Sequence, residues 1–303
     1  MAPTVARVTP ATQANEREQT MSDRYIPGVP CWVDTSQPDP AAAVEFYGGL
    51  FGWELEDMMP PDAPGSYFMA RLGGKDVAAV SSPMGEAPPL AVWNTYVWVE
   101  SADETAAKVG AAGGKVLVEP FDVTEAGRMA VCADAEGAVF CLWQAGRHRG
   151  AEVVNDPGSL NFNNLGSRDR EAAARFYGDV FGWRLLEMGG GWNGWALPGY
   201  GEFLDSLRPG TVAGMKEMGA PDGFWDVVAT FNPIPDDQPD TPPNWGVTFS
   251  VADADATAAR AKELGATLLA EPFDVPWVRM TVIRDPQGAV LTASQFKPEN
   301  QVL

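Results

Sequence analysis

The chain has 303 residues, 45% of them hydrophobic, which is long for one core and suits two cores of ordinary domain size. Its 41 acidic residues outnumber 21 basic ones, and the resulting net charge of -20 repels phosphates and anionic lipid headgroups. Nucleic acid and membrane surfaces are therefore excluded as expected partners, no apolar run reaches the roughly 18 residues a bilayer span needs, and the expected ligand is neutral or weakly charged.

In chain order, residues 1–24 are rich in Ala, Thr, Gln, Glu and Arg and lack an apolar segment. They read as a disordered N-terminal extension, not a secretory signal, with Met21 as an alternative start. An alternating strand, Pro30 to Thr35, leads through a Pro/Asp turn into a helix of sequence AAAVEFYGGLF and then into short strands through Val80. The strand Asn94 to Val99 starts a second round, with the helix ADETAAKVGAAGG and strands ending at Trp143. Residues 25–145 thus form a first domain containing strand, helix and three strands, twice. Residues 146–158 are the linker, and its GRHRG segment holds the only histidine, His148, expected to be solvated. In the second domain, 159–303, the half-repeats begin at Leu160 and Gly246, and the helix DADATAARAKELGA is closed by Gly265.

Internal repetition is the strongest signal. AVEFYGGLFGWEL from Ala43 matches AARFYGDVFGWRL from Ala173, with FY and FGW in register. Glu119 to Val123 (EPFDV) recurs as Glu271 to Val275, each followed by an Arg-Met pair and a turn, DAEGAV from Asp134 and DPQGAV from Asp285. The offset grows from 130 to 152 residues, so the second copy carries an insertion, placed between Gly189 and Asn244. Trp192, Trp195, Trp225 and Trp245, with Met215 and Met218, crowd that stretch, either as a cover for a cleft or as filler. The repeated EPFDV reads as loop packing, and Arg128 and Arg279 as braces of the sheet. Cys31, Cys132 and Cys141 lie in apolar runs and read as buried thiols in a reducing, cytoplasmic compartment.

Four strand-helix-strand-strand-strand modules, with FYxxxFGW closing the first helix and DPxG before the last strand, resemble the vicinal oxygen chelate superfamily of glyoxalases, bleomycin-resistance proteins and extradiol dioxygenases. The resemblance spans about residues 25 to 297. It implies an α+β fold of two tandem domains, each with two βαβββ modules forming a U-shaped eight-stranded mixed sheet around a cleft. It also implies a divalent metal in the catalytic members, but the ligand positions fall on Pro30, Asn94 and Cys141 in the first copy and on Leu160, Gly246 and Thr292 in the second. With one histidine in the chain, a His-based metal centre is excluded by count. No metal or other cofactor is expected, although an oxygen-only magnesium site is conceivable.

Strand parity sends Pro30, Trp32, Asp34, Asn94, Tyr96, Trp98, Cys141 and Trp143 to one face, and Val33, Thr35, Thr95, Val97 and Val99 to the other. The first set reads as an aromatic box for a planar ligand, or else as core filling. Asp34, Tyr96 and Asn94 are the candidate catalytic residues, since a carboxyl among Trp32 and Trp98 has its pKa raised by desolvation. Asp34 could instead cap the Ser-Gln-Pro-Asp turn. Trp32, Trp98, Cys141, Trp143, Phe162 and Asn164 are the candidate ligand-binding residues. Phe162 and Asn164, with Thr248, Ser250 and Thr292, line the second cleft, which has no matching acid. The first copy is therefore the expected working pocket.

Two functions fit these expectations. One is a metal-independent enzyme that dehydrates, cyclises or isomerises an aromatic or polyketide-like molecule in natural-product biosynthesis. The other is a bleomycin-resistance-type protein that sequesters an antibiotic. Either acts on a small aromatic ligand, as monomer or homodimer.

Overall fold

The computed structural model describes residues 24–83, 90–189 and 191–300. The expectations for residues 1–23, Met21 included, lie outside the described residues. Among the described residues, sixteen strands form two eight-stranded mixed sheets, one from each copy.

In the first copy, β1 (Pro30–Ser36) is followed by helix α1 (Pro40–Phe51) and the antiparallel meander β2 (Glu54–Asp57), β3 (Tyr67–Leu72) and β4 (Lys75–Ser81), which returns parallel to β1. The second module repeats this plan with β5 (Val92–Trp98), α2 (Ala102–Ala111), β6 (Lys115–Val123), β7 (Gly127–Ala133) and β8 (Val139–Ala145). The modules join where β1 pairs antiparallel with β5, giving the order β2-β3-β4-β1-β5-β8-β7-β6.

The second copy has the same order, with β9 (Leu160–Ser167), α3 (Arg170–Phe181), β10 (Arg184–Glu187), β11 (Asn193–Ala196), β12 (Val227–Pro233), β13 (Asn244–Ser250), α6 (Ala254–Glu263), β14 (Thr267–Val275), β15 (Val278–Arg284) and β16 (Val290–Phe296). Its insertion lies between β11 and β12 as two short helices, α4 (Tyr200–Leu207) and α5 (Thr211–Glu217). No helix among the described residues is long and apolar enough to cross a membrane.

Local chemistry explains the long helices. Asp39 and Asp169 cap α1 and α3 through their side chains, accepting from the amides of Ala42 and Ala172. Gly52 and Gly182, the glycines of FGW, end those helices at φ 71° and 75°, where a β-carbon would be strained.

The repeated motifs meet across the two copies. Tyr47 of the first FY donates to Asp285 Oδ2 of the second copy at 2.7 Å, and Tyr177 of the second FY donates to Asp134 Oδ2 of the first at 2.9 Å. Each aspartate uses its Oδ1 to accept three backbone amides of its own turn. The indoles of FGW cross as well, Trp53 to the Gly158 carbonyl at 2.7 Å and Trp183 to the Gly28 carbonyl at 2.8 Å. Helices and sheet backs therefore lie between the two copies. Val33 packs with Phe46 and Tyr47 there, and Thr95 Oγ1 accepts from Asn163 at 2.7 Å.

Two sequence expectations change. EPFDV is not a loop: it lies in strands β6 and β14, where Asp122 and Asp274 pair with Arg128 and Arg279 at 3.0 and 2.8 Å. Both arginines also grip the first turn of a helix, Arg128 at Asp103 and Arg279 at Asp255, so the bracing role holds. Trp195 and Trp245 leave the insertion for the interface: Trp195 is fully buried against Tyr177, and Trp245 donates to the Tyr177 hydroxyl at 2.9 Å.

Tyr177→Phe keeps the ring but leaves Asp134 Oδ2 and the Trp245 indole without this partner inside the core. Urea denaturation is expected to register a loss of about 1–3 kcal/mol, the cost of unsatisfied buried polar groups. No change in midpoint would mean that the hydroxyl is replaceable by water.

Candidate functional site

With the sheet backs turned toward each other, the opposite face of the first sheet carries Trp32, Asp34, Asn94 and Tyr96, whereas a bulge between Pro30 and Trp32 sets Pro30 opposite Val97 and so off the cleft face that strict alternation assigned to it. In the first copy, Asp34 lies opposite Asn94 in the β1–β5 ladder, and Trp32 lies opposite Tyr96. The Asp34 carboxyl is 3% exposed and accepts three hydrogen bonds: Asn94 Nδ2 to Oδ1 at 2.8 Å, Tyr96 hydroxyl to Oδ2 at 2.7 Å, and Tyr67 hydroxyl to Oδ2 at 3.4 Å. The Trp32 indole donates to Tyr67 at 3.0 Å, which extends the network to a second aromatic ring.

Burial raises the Asp34 pKa above the ordinary carboxyl value, and the bonds from Asn94, Tyr96 and Tyr67 offset part of that rise. Burial and the neighbouring carboxyl push both tyrosines well up, so they remain donors at neutral pH. Cys141 pairs with Tyr96 across β5–β8 and is 3% exposed; burial first, then Asp34, hold it as a thiol. Trp143, 5% exposed, sits edge-on to Tyr96 at 6.3 Å.

The structure gathers Trp32, Asp34, Asn94, Tyr96, Cys141 and Trp143, and Trp98 lies opposite Trp143 in the β5–β8 ladder, stacked on Tyr25 at 6.0 Å. Two members of the cluster were not picked out from sequence. Tyr67 enters from β3, where only the alternation of YFMARL hinted at an inward face. His148, expected in solvent, is instead mostly buried, edge-on to Trp32 at 4.4 Å between ring centroids and 5.7 Å from Trp143.

In the second copy Asn164 stands where Asp34 stands in the first. It accepts from Thr230 at 2.6 Å and donates to Thr248 at 2.9 Å, so its amide is spent within a neutral network. Phe162 lies edge-on to Trp192 at 6.4 Å beside the insertion. The insertion reaches the far hairpin, where a β-carbon on Gly219 would lie 3.6 Å from the Trp277 ring.

A family model for the Glyoxalase/Bleomycin resistance protein/Dioxygenase superfamily matches residues 32–142 and 159–292. The chain belongs to this superfamily. Two relatives cover nearly its whole length. A Mycobacterium tuberculosis protein named Putative glyoxylase CFP32 is 38% identical over 91% of this chain and 97% of its own. The anthracycline biosynthesis protein DnrV of Streptomyces peucetius is 35% identical over 90% and 95%. The fold is shared with the Mn(II)-bound glyoxalase of Novosphingobium aromaticivorans, at TM-score 0.56 and 18% identity over 89% of this chain and 83% of that one.

The superfamily implies a divalent metal, but the donors here do not fit one. Pro30 and Leu160 offer no ligand atom, and Cys141 is held protonated. Among the described residues no three His, Cys, Asp or Glu side chains cluster as a metal site.

A raised carboxyl pKa has a signed consequence. The protonated Asp34 stabilises the fold below the unfolded value of about 3.9, and that contribution is lost as pH climbs through the higher folded value. Calorimetry from pH 4 to 7 should therefore find the Tm of Asp34→Asn rising relative to wild type. A difference independent of pH would contradict the shift.

Proposed function

We infer that this superfamily member is a metal-independent enzyme acting on a flat aromatic, polyketide-like molecule at the first cleft. The carrying observation is the buried Asp34 carboxyl, set between two tyrosine hydroxyls and an amide on an aromatic face. A base with an elevated pKa takes a proton near neutral pH more effectively than an ordinary carboxylate. In a dehydration, Asp34 removes a proton from the carbon beside a carbonyl, Tyr96 donates to the developing oxyanion, and the proton then returns to the departing hydroxyl. Water leaves and the carboxylate is restored. Isomerisation and cyclisation use the same proton transfer without loss of water.

Likeness to anthracycline biosynthesis proteins supports a polycyclic aromatic substrate, and the free, buried cysteines suit a cytoplasmic setting. Because Asp34, Trp32 and Tyr96 are nearly closed to solvent, the ligand enters only when covering groups move aside. A second reading, sequestration of a flat cationic drug, draws on the net charge of -20.

Turnover of anthracycline aglycone intermediates separates the readings. Asp34→Asn is expected to lower kcat by about 10²–10⁴, while Kd by tryptophan fluorescence stays within about threefold. Wild-type turnover in the variant would reject the acid-base role. Tight binding without turnover in the wild type would establish sequestration.

A further inference from the structure

The His148 imidazole is wedged against Trp32 and Trp143, two residues of the first cleft, and its Nε2 is buried with no hydrogen-bond partner among the described residues. A buried ring nitrogen left unpaired costs free energy, so a site that keeps one open is short of a partner.

The ring is also held in place. Gly146 and His148 donate backbone hydrogen bonds to the Ala126 carbonyl at 2.9 and 3.0 Å, and Arg147 to that of Glu125 at 2.9 Å, which ties the linker to the β6–β7 turn. The Trp143 indole donates to the His148 carbonyl at 3.0 Å. Beyond it, Gly150 at φ 85° passes so near β1 that a β-carbon would lie 2.6 Å from the Cys31 carbonyl, and Ala151 donates to that carbonyl at 2.8 Å. The linker is thus a strap fastened on both sides of one imidazole. Burial lowers the ring's pKa against the opposing pull of Asp76 and Glu152, so the ring is neutral at neutral pH, able to accept through one nitrogen and donate through the other.

We propose that His148 is a ligand-contacting residue of the first cleft, where its Nε2 exchanges a hydrogen bond with a hydroxyl or carbonyl oxygen of a hydroxylated polycyclic aromatic. The assignment rests on the first cleft being the binding site, as inferred above. It gives the linker a part in recognition: the strap brings a polar contact to the aromatic face, beside the Trp32 indole that is linked through Tyr67 to Asp34.

The test exploits the single histidine of the chain. Tag-free protein carrying ¹³C-labelled histidine is titrated with 1,8-dihydroxyanthraquinone, following the imidazole resonance by NMR and tryptophan fluorescence in parallel. Both signals are expected to change with one Kd. His148→Phe, which keeps a ring between the tryptophans, is expected to weaken binding about tenfold, and His148→Gln, which keeps a hydrogen-bonding group, by no more than about threefold. Quenching with an unmoved histidine resonance overturns this assignment alone, as does equal affinity in His148→Phe. No quenching at all overturns the ligand class, and His148 with it.

Discussion

The molecule turns on a reciprocal hydrogen bond, the tyrosine of each helix to the turn aspartate of the other copy. Each aspartate has one oxygen occupied by three amides of its own turn, so only the other is left to accept. Tyr47 and Tyr177 supply a donor to it from across the interface, and Gln37 gives Asp285 a second one at 2.8 Å. Both pairs are deeply buried, and a polar group at such depth is tolerated only when matched. The contact therefore sets the seating of one copy on the other, sheet backs and helices inward. Since the backs are occupied, each sheet has only its other face for a ligand.

The two sites on the sheet faces turned away from the interface share a frame but not a chemistry. Asp34 and Asn164 occupy equivalent positions, and the change from carboxyl to amide removes the group that can move a proton. Around Asp34 the neighbours are Tyr67, Tyr96 and Asn94; around Asn164 they are Thr230 and Thr248. The covering segments differ as well: the linker serves the first sheet with His148, and the inserted helices lie beside the second. Duplication preserved what holds the copies together and released what each face presents.

Much of this was legible in the residues. The repeat announced two copies of two modules each, and alternation along β1, β5 and β8 sorted Trp32, Asp34, Tyr96 and Cys141 onto one side, because side-chain direction in a strand follows from local geometry. It could not show how far along that side each residue falls: Trp98 lies at the Trp143 level of β5–β8, beside Tyr25, while Asp34 lies at the level of Asn94. Tyr67 reaches Asp34 from β3, a short strand two places away in the sheet whose sequence spacing from Asp34 is not fixed.

The internal repeat was enough for two copies of paired strand-helix-strand modules, the family resemblance implied the α+β sheet, and counts gave the scarcity of imidazole ligands; alternation gave the face of Trp32, Asp34, Asn94 and Tyr96 but not of Pro30, where a bulge intervenes. Tertiary structure alone decided that FY, FGW and the turn aspartates are interface motifs, that Trp195 and Trp245 belong to the interface, and that His148 packs against Trp32 and Trp143. Those outcomes hinge on which surfaces meet when two sheets dock, and burial and hydrogen-bond partners come into being only at that point.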